Sequence, residues 1–370
     1  MTTTGRQLIS TLNSDNTMVL SLEEKTFPEP KGNQVLVKME AAPINPSDLF
    51  LMTTGVDFEN ATFAAGKVTM PVAPQVAAGQ AARMGKPQTV GNEGAGEVIA
   101  AGDGEMAQSL LGQRVACVPG SAFGEYAIAD AMMCLPLGDH SSEEGASSFV
   151  NPMTALGFAE TAKREGHKAI IHAAAASNLG QMLNRICQED GLGLVNIVRK
   201  DEQAQLLKDQ GAAHVVNSSD DDFEAKLAEA VGATGAFLGF DPIGGGRTTD
   251  TCLRAMERVA AKEMTEYSRY GSNKQKKMYI YGRLELAPTV LTPSYGFAWT
   301  VSGWLLMPFL ESCDLQTLMG LRQRVKDGLK TTFASSYKTR VDLEGMLTKD
   351  AMMDYAQMAT GEKYLVTPHG

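Results

Sequence analysis

The sequence predicts an α/β protein of two domains, one β-rich and the other built on a doubly wound parallel sheet. Three observations lead there. The chain has 370 residues, too many for one ordinary core. Its first 145 or so residues are dense in turns and short strand-like runs punctuated by glycine and proline. From about 148 to 285, short apolar runs alternate with helix-like segments, the mark of a parallel sheet with crossover helices.

In the first region, Gln34 to Glu40 reads as a strand that stops at a turn around Pro43 and Pro46. Gly94 to Gly102 and Arg114 to Val118 are further strands. Asp57 to Gln88 is rich in Ala, Gly and Pro with weak periodicity, and is expected to be a long loop acting as a lid. In the second region, the strand Lys168 to Ala173 precedes a helix from Leu179 to Glu189. A second strand, Leu194 to Val198, is followed by a helix from Asp201 to Gln210, with Gly211 past its end and Asp201 as its expected N-cap. A third strand at His214 to Val216 leads to a helix from Asp222 to Val231. A fourth, Ala236 to Phe240, runs into Asp241, and the helix Thr249 to Val259 and strand Met278 to Gly282 complete the series. From Phe333 onward the mixed pattern returns, and this tail is expected to pack on the first domain.

Composition narrows the function. Apolar residues make up 44% and charged residues 21%, which suits a globular enzyme. The net charge of -10 argues against a nucleic-acid partner, because the only basic run, Lys274 to Lys277, reads as a solvated loop. Cys117, Cys134, Cys187, Cys252 and Cys313 are widely spaced, without zinc-ribbon pairs. With an N-terminus lacking a signal pattern, they indicate a reducing, cytoplasmic setting. Leu286 to Leu310 carries no charge, but Pro288, Pro293 and Pro308 make a buried wall or subunit interface the better expectation than a membrane span.

The first crossover turn, Ala174-Ala-Ala-Ser-Asn-Leu-Gly180, keeps one glycine of a dinucleotide fingerprint, with Ala174 and Ser177 at the other two places. Small residues there still let a backbone approach a pyrophosphate, and the following helix offers free N–H groups. Ala174, Ser177, Asn178, Leu179 and Gly180 are therefore cofactor-binding candidates. The second strand ends in Arg199 and Lys200, cations suited to a 2′-phosphate, so NADPH is expected over NADH. Asp241, at the end of the fourth strand, is placed with the same site.

Ala41-Ala-Pro-Ile-Asn-Pro-Ser-Asp-Leu49, Val90-Gly-Asn-Glu-Gly-Ala-Gly-Glu-Val98 and Asn151-Pro-Met-Thr-Ala-Leu-Gly157, in this order, resemble the motifs of the medium-chain dehydrogenase/reductases. The resemblance covers nearly the whole chain and points to the zinc-free quinone oxidoreductase and enoyl reductase branch. It implies a GroES-like partial barrel at 1–147, completed by 325–370, and a Rossmann domain at 148–324. It places Thr154, Tyr281 and Gly282 along the cofactor, and Asn45 and Asp48 at the floor of the cleft.

Where zinc relatives carry metal ligands, this chain has Asn45, Asn92 and Asn151. Amides are poor zinc ligands, so no metal is implied. Without a Lewis acid, the resemblance implies hydride donation from NADPH to a quinone, enone or enoyl thioester, a small-molecule acceptor that stabilises negative charge itself. Asn45, Ser47 and Asn92 could polarise the acceptor carbonyl, with Asp48 beside them. Enoyl thioester reductases of the mitochondrial type use a tyrosine soon after the Asn-Pro motif as proton donor. Here no tyrosine precedes Tyr126, which leaves Tyr126, Tyr267, Tyr270, water, or no acid at all. Glu266 to Gly271 reads equally as a cap on the cleft and as a plain surface loop. The other class of function is a non-catalytic NADPH-binding protein. The family resemblance also implies a homodimer joined through the Tyr279 region and the segment from Leu286 to Leu310.

Overall fold

The computed structural model describes residues 2–361 and 363–370. They form two compact units. One comprises the residues up to Val150 together with Arg322–Gly370; the other is Asn151–Leu321.

The first unit opens with a hairpin of β1 (Thr3–Leu12) and β2 (Thr17–Phe27). Alternation along it buries Leu8, Leu12, Met18 and Leu20, as a sheet with one face on a core requires. β3 (Gln34–Pro43) is buried along most of its length because it is a central strand, and α1 (Pro46–Met52) follows it.

The segment from Asp57 to Gln88 is not the long loop expected. β4 (Thr62–Ala64) and β5 (Lys67–Pro71) turn on Gly66 and pair with β2, and α2 (Pro74–Gly79) and β6 (Gln88–Thr89) come next. Val68 and Met70, two apart on β5, point into the core. That short alternation outweighs the Ala- and Gly-rich surroundings, and the lid reading is withdrawn.

β7 (Gly94–Ala101), α3 (Glu105–Leu110), β8 (Arg114–Cys117), β9 (Tyr126–Asp130), β10 (Cys134–Pro136) and α4 (Ser142–Gly145) complete this stretch. Two sheets result. One has the order β4-β5-β2-β1-β6; the other has β7 and β9 beside β3 and is finished by the C-terminal strands described below.

The second unit follows α5 (Val150–Arg164), whose first two turns are buried from Asn151 to Phe158. β11 (Ala169–His172), α6 (Asn178–Asp190), β12 (Gly193–Val198), α7 (Asp201–Asp209), β13 (His214–Asn217), α8 (Phe223–Thr234), β14 (Leu238–Asp241), α9 (Thr248–Lys262), β15 (Lys276–Ile280) and β16 (Trp299–Gly303) then alternate. All ladders are parallel, in the order β13-β12-β11-β14-β15-β16. This is the 3-2-1-4-5-6 order of a doubly wound nucleotide-binding sheet.

Two local expectations need correction. The run Lys274 to Lys277 is not a solvated loop: Lys276 starts β15, fully buried, and its ammonium lies 2.7 Å from Glu257 and 3.0 Å from Ser272. A paired charge can be buried where a lone one cannot, and the partner stands on α9, beyond the reach of local sequence. The N-cap of α7 is Lys200, not Asp201; Asp201 is inside the first turn and accepts a hydrogen bond from the Asn217 amide at 2.8 Å.

The uncharged stretch from Leu286 to Leu310 contributes β16 and enters α10 (Leu306–Glu311). Among the described residues no helix is long and apolar enough to cross a membrane. The segment is only partly a buried wall: Phe297 is 81% exposed and Leu305 65%. Tyr267, 93% exposed, and Tyr270 mark the segment from Glu266 to Gly271 as surface.

α11 (Leu315–Asp327) crosses the division between the units. β17 (Thr339–Val341), α12 (Lys349–Tyr355) and β18 (Tyr364–Val366) return to the first, where β18 pairs antiparallel with β3 and parallel with β17.

Candidate functional site

In the second unit the expected cofactor residues gather at one edge of the sheet. The turn from Ala173 to Ser177 leaves the carboxyl end of β11, and Arg199 and Lys200 follow β12. Asp241 ends β14, and Tyr281 and Gly282 follow β15. This edge, at the point where the strand order reverses, is where open parallel sheets bind ligands.

The turn is tight. Ala174 has φ +51°, a left-handed conformation that residues with a β-carbon adopt at a cost. The Ala173 N–H is held by the Phe240 carbonyl at 3.1 Å, and that of Ala175 by Ile197 at 3.0 Å. Ser177 caps α6, its hydroxyl oxygen accepting the Gly180 N–H at 3.2 Å. A β-carbon on Gly180 would overlap the Ala175 carbonyl, so the retained fingerprint glycine is where helix and turn touch. Asn178 and Leu179 form the first turn of α6, on the face such sites turn toward phosphate.

Arg199 and Lys200 have exposed side chains, and the Arg199 carbonyl accepts the Ser219 hydroxyl at 2.8 Å. Asp241 is committed to its own turn: it accepts the Ile243 N–H at 2.8 Å, that of Gly244 at 3.4 Å, and the Thr249 hydroxyl at 2.8 Å. Burial raises its carboxyl above the usual range, against those hydrogen bonds. Gly282 is packed so closely that a β-carbon would meet the Pro242 carbonyl at 2.6 Å. The Tyr281 hydroxyl pairs with His172 Nε2 at 2.8 Å. Burial pulls His172 down to about 3, so the imidazole is neutral, and lifts Tyr281 well above its usual value. Thr154 lies on the buried face of α5, with Asn151 a turn before it.

The first unit brings Asn45, Ser47, Asp48 and Asn92 together. Asp48, on α1, accepts the Asn45 N–H at 2.9 Å and the Asn92 N–H at 2.8 Å, tying the two motifs to each other. Burial raises its carboxyl to about 7, against those two donors and with help from Glu93. The Asn92 amide donates to Ser47 Oγ at 3.0 Å. Ser47 is exposed and, having accepted there, keeps its own hydrogen to give.

Sequence reasoning missed the group behind these residues. Glu93, 1% exposed, accepts the Asn45 amide at 2.8 Å and the N–H groups of Phe149 and Val150 at 2.8 and 3.0 Å. Lys363, half-buried, donates to Ser147 Oγ at 2.7 Å, and Ser147 is 2.8 Å from the Tyr337 hydroxyl. Burial pulls Lys363 down to about 8, while Glu93 and Asp48 hold it up. The signal for Glu93 was a carboxylate inside a glycine-rich apolar run; nothing local marks Lys363.

Comparison with known proteins agrees with this geometry. Residues 31–139 match the alcohol dehydrogenase GroES-like domain. A mitochondrial enoyl-[acyl-carrier-protein] reductase of Arabidopsis thaliana is 27% identical over 87% of this chain and 79% of its own length. A quinone oxidoreductase of Pseudomonas aeruginosa is 26% identical over 48% of this chain, which spans 54% of that relative's length. Among solved structures, a protein assigned as an NADPH:quinone reductase from Mesorhizobium loti has a TM-score of 0.74 at 26% identity, over 99% of this chain and 98% of that one. The chain belongs to the medium-chain dehydrogenase/reductases. Within them it stands with the quinone oxidoreductases and enoyl reductases, and it is an oxidoreductase.

Proposed function

We propose that the chain binds NADPH and passes hydride to an electrophilic acceptor, a quinone or a C=C bond conjugated to a carbonyl, without zinc. The observation that carries the reading is the turn from Ala174 to Gly180 at the switch point of a 3-2-1-4-5-6 sheet, with two exposed cations at the end of the next strand. In it, the N-terminal turn of α6 receives the pyrophosphate, and Arg199 and Lys200 receive the 2′-phosphate. Thr154, Tyr281 and Gly282 border the nicotinamide, and Asp241 shapes the turn beside it. NADPH, when bound, supplies the hydride.

In the first unit, Ser47 gives its hydroxyl hydrogen to the acceptor oxygen and Asn92 orients Ser47. Asp48 holds the two motifs in register. The absence of zinc from the proposal rests on donor chemistry: the Asn45 amide nitrogen is already turned to Glu93, and amide groups are weak zinc ligands.

NADPH oxidation against a panel of quinones, enones and enoyl thioesters tests the reading, with turnover of at least one class expected. Tight cofactor binding with no turnover on any of them would instead define a non-catalytic NADPH-binding protein. The same proposal includes a homodimer through the outer strand β16 and the exposed Phe297, Leu305 and Met307 beside it, for which light scattering should give twice the chain mass. It also includes a reducing, cytoplasmic setting, consistent with five free thiols.

A further inference from the structure

The buried cluster behind Asn45 bears on which way that amide faces. Three N–H donors converge on the two oxygens of Glu93, from the Asn45 amide, Phe149 and Val150. A carboxyl group that receives three donors is used as an acceptor only, which is the ionised form. The Asn45 atom 2.8 Å from it must then be nitrogen, since an oxygen there would face an oxygen. The amide orientation is fixed by charge, with the ammonium of Lys363 balancing Glu93 nearby.

The other end of the amide is the unexplained part. Asn45 is 1% exposed, yet its Oδ1 has no hydrogen-bond partner among the described residues. It stands at the N-cap position of α1, but the Asp48 N–H there donates to the Asn45 main-chain carbonyl at 3.0 Å, and no side-chain cap bond forms. A buried acceptor left unpaired costs free energy, and a protein keeps one chiefly where a donor arrives from outside.

We infer that Asn45 is a specificity-determining residue that presents an acceptor, not a donor: Glu93 locks its amide so that Oδ1 receives an N–H or O–H of the bound ligand. The inference rests on the NADPH reading above and deepens it. It reverses the expectation that Asn45 polarises the acceptor carbonyl, a role left to Ser47. Two ligand groups carry such a donor, the nicotinamide carboxamide and the hydroxyl formed when a quinone or enone oxygen is protonated.

The experiment compares binding of NADPH with binding of its reduced 3-acetylpyridine analogue, in which a methyl group replaces the amide nitrogen. Wild type, Asn45→Ser and Glu93→Gln are measured, with kcat for a quinone and a thermal melt for each. Serine retains helix-capping ability but cannot reach the same point, so it separates a cap from a ligand contact. If the carboxamide is the donor, wild type prefers NADPH by about tenfold and both variants lose that preference. If the acceptor hydroxyl is the donor, cofactor binding is unchanged and kcat falls about tenfold in both variants.

The inference is overturned if Asn45→Ser keeps the wild-type preference and kcat within twofold. It is equally overturned if the variant weakens NADPH and the analogue alike with kcat unchanged, as a purely structural role would. Should Asn45→Ser fail to fold, Glu93→Gln carries the comparison alone. Absence of NADPH binding in wild type would bring down the parent reading; binding with an indifferent Asn45 would remove only this one.

Discussion

Ala174 occupies a conformation better suited to a residue without a β-carbon. Replacing it by glycine relieves a left-handed cost of about 1–2 kcal/mol and restores chain entropy worth about half that. Ala174→Gly is therefore expected to stabilise the protein by roughly 0.5–1 kcal/mol, read from urea midpoints at constant slope. A destabilised variant would mean that the methyl group packs against something that matters. Legibility at this scale was uneven. Asn45, Asp48 and Asn92 were visible because each lies in a short motif, and the fold brings those motifs within hydrogen-bond distance. Glu93 and Lys363 were not, because their roles exist only once strands far apart in sequence have paired.

Among the elements, the pair β12 and α7 carries the expected choice between the two nicotinamide cofactors. Charge-assisted hydrogen bonds to a phosphate contribute about 1.5–3 kcal/mol. The double variant Arg199→Ala, Lys200→Ala should then raise KM for NADPH by about tenfold to a hundredfold while leaving that for NADH nearly untouched. Equal loss with both cofactors would place the 2′-phosphate elsewhere. Strands and helices of the second unit were readable in order because each buried parallel strand is a short apolar run between glycine and a helix start. The hairpin of β4 and β5 was not. Its partner strand, β2, lies outside the window in which its pattern is weak, and only that pairing explains why Val68 and Met70 turn inward.

For the whole molecule, the two units carry buried titrating groups of opposite effect. Asp48 in the first holds its proton up to about 7 from an ordinary 3.8 because it is buried. The native form thus binds the proton more tightly, and its contribution to stability declines as pH rises from about 4 to about 7. His172 in the second is pushed from 6.5 to about 3, also by burial. The unfolded chain takes up that proton first, so this contribution is lost as pH falls below about 6.5. Each effect is on the order of a few kcal/mol at most. Urea melts from pH 4 to 7 should show a weaker alkaline-side decline for Asp48→Asn than for wild type, and a weaker acid-side loss for His172→Gln. Unchanged pH profiles in both variants would show that neither group titrates as its surroundings suggest.

The strand β18 is laid between β3 and β17, so the first unit is closed by residues more than three hundred positions from its opening hairpin. The other unit lies in one unbroken stretch. On the ribosome the second can therefore mature while the first still waits with an open sheet edge beside β3, exposed to wrong pairing until 364–366 emerge. Chaperone demand during synthesis should fall on the portion made earliest.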